Sequence, residues 1–303
     1  MISWLLVIIL SYFFFSLAFL GDKMILSGAP KPALYTFYVG ALSLLVVFFI
    51  PFIKFSIPNY QTMGWIIAEA IVYIAGLYAM FRALEKFEVS KVMTTIGATQ
   101  PIFVFFLVWL FWGLENITGL EIFAFFLLLV GSIGISFEKN ANKNRGYINI
   151  TIIASILFSL DYIFQKLVFL DQPFLQGFVW MRLASFVVVL FLLFSKNLRK
   201  ELFVKKENVV FDKKISTIFV CSQSAGGIAN GLQGAAIFLA PTAFLPIINA
   251  LRGIQYVFLF LLTLFVSYAF PKILQEKNDR TVIIRKSISI IVIAAGLALA
   301  VLY

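Results

Sequence analysis

The sequence predicts an all-α integral membrane protein of ten transmembrane helices, arranged as two inverted five-helix repeats. Three observations lead there: a composition too apolar for a water-soluble domain, ten apolar runs of membrane-crossing length, and an internal repeat with five runs in each half. Of the 303 residues 62% are hydrophobic and 17% aromatic, and the mean hydropathy is +1.02. Such values lie well beyond those of soluble globular chains.

A helix needs roughly 20 apolar residues to cross the hydrocarbon core. Runs of that kind occupy residues 2–20, 33–53, 62–81, 89–111, 117–137, 147–170, 174–195, 215–238, 242–270 and 284–303. The first has no basic leader and no small-residue cleavage site before Gly21-Asp22-Lys23, so it reads as a retained helix. The second and seventh open at Pro32 and Pro173. Pro101 and Pro246 fall inside the fourth and ninth, where a missing N–H frees carbonyls to line a cavity. The eighth carries Gly226, Gly227, Gly231 and Gly234, and its Gly227-to-Gly231 GxxxG reads as a site of close helix approach, with a hinge as the other reading. The longest polar stretch, Lys196 to Lys214, is too short for a core of its own.

Charge placement supplies an orientation. Numbered from the N-terminus, the odd connections hold 20 of the 24 Lys and Arg residues, the even ones only Lys54 and Lys166, and Arg182 and Arg252 lie within apolar runs. The positive-inside rule puts the odd connections in the cytoplasm and both termini outside, in a cytoplasmic (inner) membrane. Topogenesis accounts for the basic clusters, which lack interleaved aromatics, so no nucleic-acid partner is expected. The expected partners are the lipid bilayer and a small-molecule substrate, with a homodimer left open. Histidine is absent and Cys221 is the single cysteine, which excludes disulfides and histidine-based metal sites. No metal and no cofactor is expected, and nothing in the chain forms a nucleotide loop.

Shifting the chain by about 154 residues lays Trp109-Leu110-Phe111 over Thr263-Leu264-Phe265 and Glu69 over Gln223. A smaller shift lays Pro32 on Pro173 and Lys23 on Lys166. The halves are residues 1–138 and 146–303. Five helices per half force the second copy to insert upside down, an arrangement found in secondary transporters.

Ala83-Leu84, Pro101-Ile102-Phe103, Glu115, Gly131 with Gly134, and Pro173 with Arg182 occur in an order that resembles the drug/metabolite transporter superfamily, specifically its EamA-type ten-helix members. The resemblance runs the length of the chain and implies movement of a small polar or amphipathic metabolite by alternating access. Three features depart from the family pattern: Gly40 stands near where the first repeat of such proteins often carries an arginine, the loop Lys272 to Arg285 is longer than a minimal connection, and the external termini reverse their common orientation.

Charged residues inside membrane-length runs are costly, about 2.5 kcal/mol or more each on insertion scales, and mark substrate or ion paths. There are four here: Glu69, Asp161, Arg182 and Arg252. Counted from the helix ends at 1.5 Å per residue they lie at similar depths, which predicts Asp161 pairing with Arg182 and Arg252 pairing with Glu69. One reading is two ion pairs that lock helices together. The other is a substrate site in which Arg252 takes a carboxylate or other anionic group and Glu69 or Asp161 takes an amine or a coupling proton, a charge balance that suits an amino acid. Gln100, Gln223, Asn230, Asn249 and Gln255 extend the same candidate surface. Without a catalytic motif an enzyme is not expected; a lipid flippase or a non-transporting structural membrane protein is the alternative.

Overall fold

The computed structural model describes residues 3–26, 32–86, 89–113, 118–136, 146–194, 199, 213–269 and 280–302. The described residues are helical apart from short connections such as 53–59, with no strand among them, and eleven α-helices follow in order. They are α1 (Ser3–Leu26), α2 (Pro32–Leu42), α3 (Tyr60–Lys86), α4 (Val89–Trp112), α5 (Gly119–Ser136), α6 (Gly146–Asp171), α7 (Phe174–Phe191), α8 (Lys213–Leu239), α9 (Leu245–Ala250), α10 (Gly253–Ala269) and α11 (Arg280–Leu302). A 3₁₀ segment, Ser43–Phe52, prolongs α2. Glu115, Lys139, Lys143, Arg145 and the basic connections 196–212 and 270–279 lie outside the described residues, apart from the single position 199.

Among the described residues seven helical segments are long and apolar enough to cross a membrane, and 119–134 and 287–299 form shorter apolar helices. The protein is therefore an all-α integral membrane protein. Its exterior agrees: Phe48, Phe52, Ile57, Tyr60 and Phe194 stand largely exposed, a surface suited to lipid and ill-suited to water.

Local chemistry fixes the helix ends. Asn59 begins α3 by accepting the Thr62 N–H at 2.8 Å. Thr118 and Glu121 form a reciprocal capping box at the start of α5, with Thr118 N donating to Glu121 Oε2 at 2.7 Å. Gly113, at φ +74°, ends α4 in the left-handed conformation that glycine adopts without strain. Pro246 sits in the first turn of α9, where a proline removes no needed hydrogen bond. The ninth run therefore does not break at its proline, as the sequence suggested. It breaks five residues later, at Leu251-Arg252.

The most extensive packing joins α1 to α8, α3 to α6 and α5 to α11. At α1–α8, Ser11 Oγ donates to Ala229 O and Ser222 Oγ to Ala18 O, both at 2.8 Å, and a methyl at Gly21 would lie 2.7 Å from Ser222 Cβ. At α5–α11, a methyl at Gly131 would lie 2.6 Å from Ile293 and one at Gly296 2.9 Å from Leu128. The GxxxG of α8 is different: a methyl at Gly227 or Gly231 meets nothing within 4 Å. That pair does not mediate close approach within the chain, because α8 turns Gly226 and Ala229 toward α1 and leaves the GxxxG on another face. Gly40 is buried against Val189 of α7 and Ile74 of α3, so no arginine fits there.

Candidate functional site

The ninth run is the irregular element of the bundle. Helix α9 stops at Ala250, Leu251 and Arg252 form a turn, and α10 begins at Gly253. Through the turn the backbone bonds tighten from four residues to three, with Arg252 N to Asn249 O at 3.1 Å, Ile254 N to Leu251 O at 2.9 Å and Gln255 N to Arg252 O at 3.0 Å. Neighbouring helices take up carbonyls the break leaves unbonded. Tyr12 of α1 donates to Ile248 O at 2.6 Å and Ser132 of α5 donates to Ala250 O at 2.9 Å. A buried break with its carbonyls satisfied is a built feature of the fold.

Arg252 stands at this break. Its Nη1 donates to Gln100 Oε1 of α4, and Tyr162 of α6, Tyr12 of α1 and Tyr256 of α10 surround it. Among the described residues no carboxylate lies within ion-pairing distance of it, and its Nε is buried without an acceptor. Several nearby polar atoms are also buried and unmatched: Gln100 Nε2, the Tyr162 hydroxyl and both amide atoms of Asn249. Gln100, Tyr162 and Asn249 are 0–1% exposed, whereas Arg252 between its buried neighbours Leu251 and Gly253 is partly exposed. Buried polar groups are normally satisfied, so a concentration of unmatched ones points to a binding site.

Arg182 occupies a contrasting setting. It forms an ion pair with Glu69 of α3, and its guanidinium lies 4.3 Å from the centre of the Tyr73 ring. Both side chains are buried. Asp161 of α6 adjoins Glu69 and Arg182, yet forms no ion pair within 4 Å among the described residues; its Oδ2 accepts from Gln165 at 2.9 Å and its Oδ1 has no partner. The pairing expected from sequence is thereby corrected: Glu69 pairs with Arg182, and Arg252 and Asp161 are left over. Helix depth was the only coordinate available from sequence. The deciding one is azimuth, because α3 packs broadly on α7 while the consecutive α6 and α7 touch little.

The remaining predicted residues separate. Asn249 and Gln100 join Arg252. Gln255 is buried one turn along α10, where its carbonyl accepts from Ser16 at 2.9 Å. Gln223 donates to the Tyr35 hydroxyl at 3.0 Å, in a second apolar cluster around Tyr35 and Phe81. Asn230 folds back on its own helix, donating to Gly226 O at 2.9 Å. Tyr12 and Tyr162 were missed, because tyrosines are common in this chain and only helix neighbourhood distinguishes these two.

Lys166 also departs from expectation. The charge count placed it in a connection; it is buried within α6, and its Nζ donates to Ile237 O at 3.0 Å, Phe238 O at 3.3 Å and Ala240 O at 2.5 Å. The ammonium caps the C-terminus of α8, where unpaired carbonyls and the helix dipole favour a cation. At the same end of the bundle Asp171 accepts from Asn59 at 2.8 Å and from Thr62. Gln176 donates to Ser56 Oγ at 2.8 Å, and Phe55 stacks on Trp180 at 4.8 Å. The connection 53–59 is thus fastened across the α6–α7 turn.

No family model and no curated protein matches the sequence. By fold, 28 chains of known structure match. One, a crystal structure described only as that of a protein, superposes with a TM-score of 0.67 at 15% identity, covering 99% of this chain and 96% of its own. At that identity the likeness concerns the fold alone.

Proposed function

We propose that the protein is a ten-helix, inverted-repeat secondary transporter of the EamA type, moving a small polar or amphipathic metabolite, an amino-acid-like solute in particular, by alternating access. The pattern of packing supports the repeat. A pseudo-twofold that exchanges α1 with α6, α3 with α8, and α4 with the α9–α10 pair would carry α1–α8 onto α3–α6 and α4–α6 onto α1–α10, and all four contacts occur. Discontinuous helices at such an interface are typical transport sites.

The observation that carries the reading is Arg252: a guanidinium at a helix break inside an apolar bundle, with only neutral partners. An unbalanced buried cation is expensive and is retained where an anionic ligand balances it. Asp161, the carboxylate left over from the Glu69–Arg182 pair, supplies the opposite pole for an ammonium group. Of the two carboxylates proposed to carry a coupling proton, Asp161 is the freer, since Glu69 is held by Arg182. The fastening of 53–59 to the α6–α7 turn ties these elements together at one end of the bundle, and alternating access would require it to release during a cycle. By loop charge that end faces outward, in the inner membrane.

The test is uptake of a pooled metabolite mixture into proteoliposomes, read by mass spectrometry, for wild type and Arg252→Ala. Solutes accumulated by wild type alone support the reading. Equal accumulation by correctly folded Arg252→Ala removes Arg252 from the path, and no accumulation by either protein shifts weight to lipid exchange.

A further inference from the structure

Around Arg252 the unmatched atoms are mostly of one kind. An arginine has donors only, so the contact from its Nη1 fixes the Gln100 amide with Oε1 toward Arg252 and Nε2 turned away as a donor. That Nε2 is buried without an acceptor. The Tyr12 hydroxyl is committed to Ile248 O at 2.6 Å, but the Tyr162 hydroxyl, which lies beside both Tyr12 and Arg252, makes no hydrogen bond of ordinary geometry. Arg252 Nε is the third unmatched donor. These donors come from α4, which packs on both α6 and α9, from α6 and from the α9–α10 turn. The N-terminus of α10 begins at the same turn, placing the positive end of a helix dipole there.

We infer that Arg252, the Gln100 amide nitrogen and the Tyr162 hydroxyl together form a subsite for a single carboxylate, with Tyr162 and Gln100 as specificity-determining residues. A carboxylate presents two oxygens and about four lone-pair positions, enough to accept from all three side chains. One guanidinium charge balances a monoanion, whereas a phosphate monoester would leave excess negative charge in the bundle. A site built of donors rejects a ligand that brings a second donor in place of an acceptor, because a buried polar group then loses its partner. The subsite therefore separates an amino acid from its amide. Tyr162 follows Asp161 in α6, so the same helix places a hydroxyl for the carboxylate next to the residue proposed to take the ammonium group.

The inference rests on the transport reading, and the following assay separates the two. Neutral L-α-amino acids and their amides are offered to proteoliposomes containing wild type, Tyr162→Phe, Gln100→Leu or Tyr12→Phe. At least one acid is expected to enter with wild type while its amide does not. Tyr162→Phe and Gln100→Leu each raise its KM by roughly 10-fold with little change in maximal rate. Tyr162→Phe also unfolds at or above the wild-type temperature in detergent, since it removes an unmatched polar atom, whereas Gln100→Leu also takes the acceptor from Arg252 Nη1 and is read by KM alone. Tyr12→Phe, which strips a carbonyl of its donor, lowers the unfolding temperature instead. Uptake of acid and amide alike, or an unchanged KM in both Tyr162→Phe and Gln100→Leu, overturns the carboxylate subsite and leaves transport standing. If wild type carries neither acids nor amides but does accumulate other solutes from the pooled mixture, the subsite is again overturned alone; if it accumulates nothing, both readings fall.

Discussion

The two arginines within the apolar runs differ in what balances them. Arg182 has Glu69 as a direct partner and Tyr73 beneath its guanidinium, while Arg252 has a glutamine and three tyrosines. Arg182 is therefore balanced in charge within the fold and joins α7 to α3, although its Nε and Glu69 Oε2 are buried without partners, as Arg252 Nε is. Arg252 has no contacting counter-charge among the described residues, and the helix that carries it is broken at the same residue. Two identical side chains in similar apolar runs thus divide into a structural charge and a ligand-seeking one, and the division depends on neighbours that sequence spacing does not reveal.

The largest expected effect breaks this contrast on the structural side. Arg182→Leu strands the Glu69 carboxylate and should cost about 3–5 kcal/mol, read as loss of folded protein in detergent melts. Pairing it with Glu69→Leu should recover much of that loss, since two apolar side chains replace two charges. Arg252→Leu strands no carboxylate and should leave the melt close to wild type; a loss as large as that of Arg182→Leu would abolish the distinction.

On the functional side the order reverses. Arg252→Ala should lower uptake by roughly 100-fold, the scale of losing charge-assisted hydrogen bonds. Arg252→Lys should recover part of it, keeping the charge without the planar fork. Asp161→Asn should abolish accumulation driven by a pH gradient and only weaken downhill flux, raising its KM, since the same carboxylate takes the ammonium group. Equal inhibition of both would make Asp161 a substrate ligand without a role in coupling.

Smaller effects sharpen the comparison with a third buried cation. Lys166 is satisfied by the end of α8, so Lys166→Met should cost roughly 1.5–3 kcal/mol of stability and leave KM unchanged. Smallest of all, Gly227→Ala on the open face of α8 should be neutral or stabilising by up to about 1 kcal/mol. Gly131→Ala, against Ile293, should destabilise. Both are read from unfolding in detergent.

Much of the fold was legible because bilayer length and hydropathy act on contiguous residues: the apolar runs fall on helices, and seven helical segments among the described residues are long and apolar enough to cross a membrane. The four charged residues were visible for the same reason, being exceptions to an apolar background. Their partners were not. Pairing depends on which helix faces are opposed, and Glu69 meets Arg182 because α3 packs on α7. The break at Leu251-Arg252 was assigned to Pro246, since proline is the usual sequence sign of a broken helix, yet here it only begins one. Lys166 was counted with a connection because its carbonyl acceptors lie more than 70 residues away. Tyr162 carried no signal of its own, because an unmatched hydroxyl exists only once its surroundings are assembled.

If Arg252 binds substrate at the broken helix, it must face an aqueous route through the bundle. A Cys221→Ser background carrying Arg252→Cys, treated in intact membranes with a cationic thiol reagent, is the decisive test. Position 252 should be labelled, and the attached ammonium group should restore part of the lost uptake. A thiol that stays inert in the membrane and reacts only after denaturation would contradict substrate binding at Arg252.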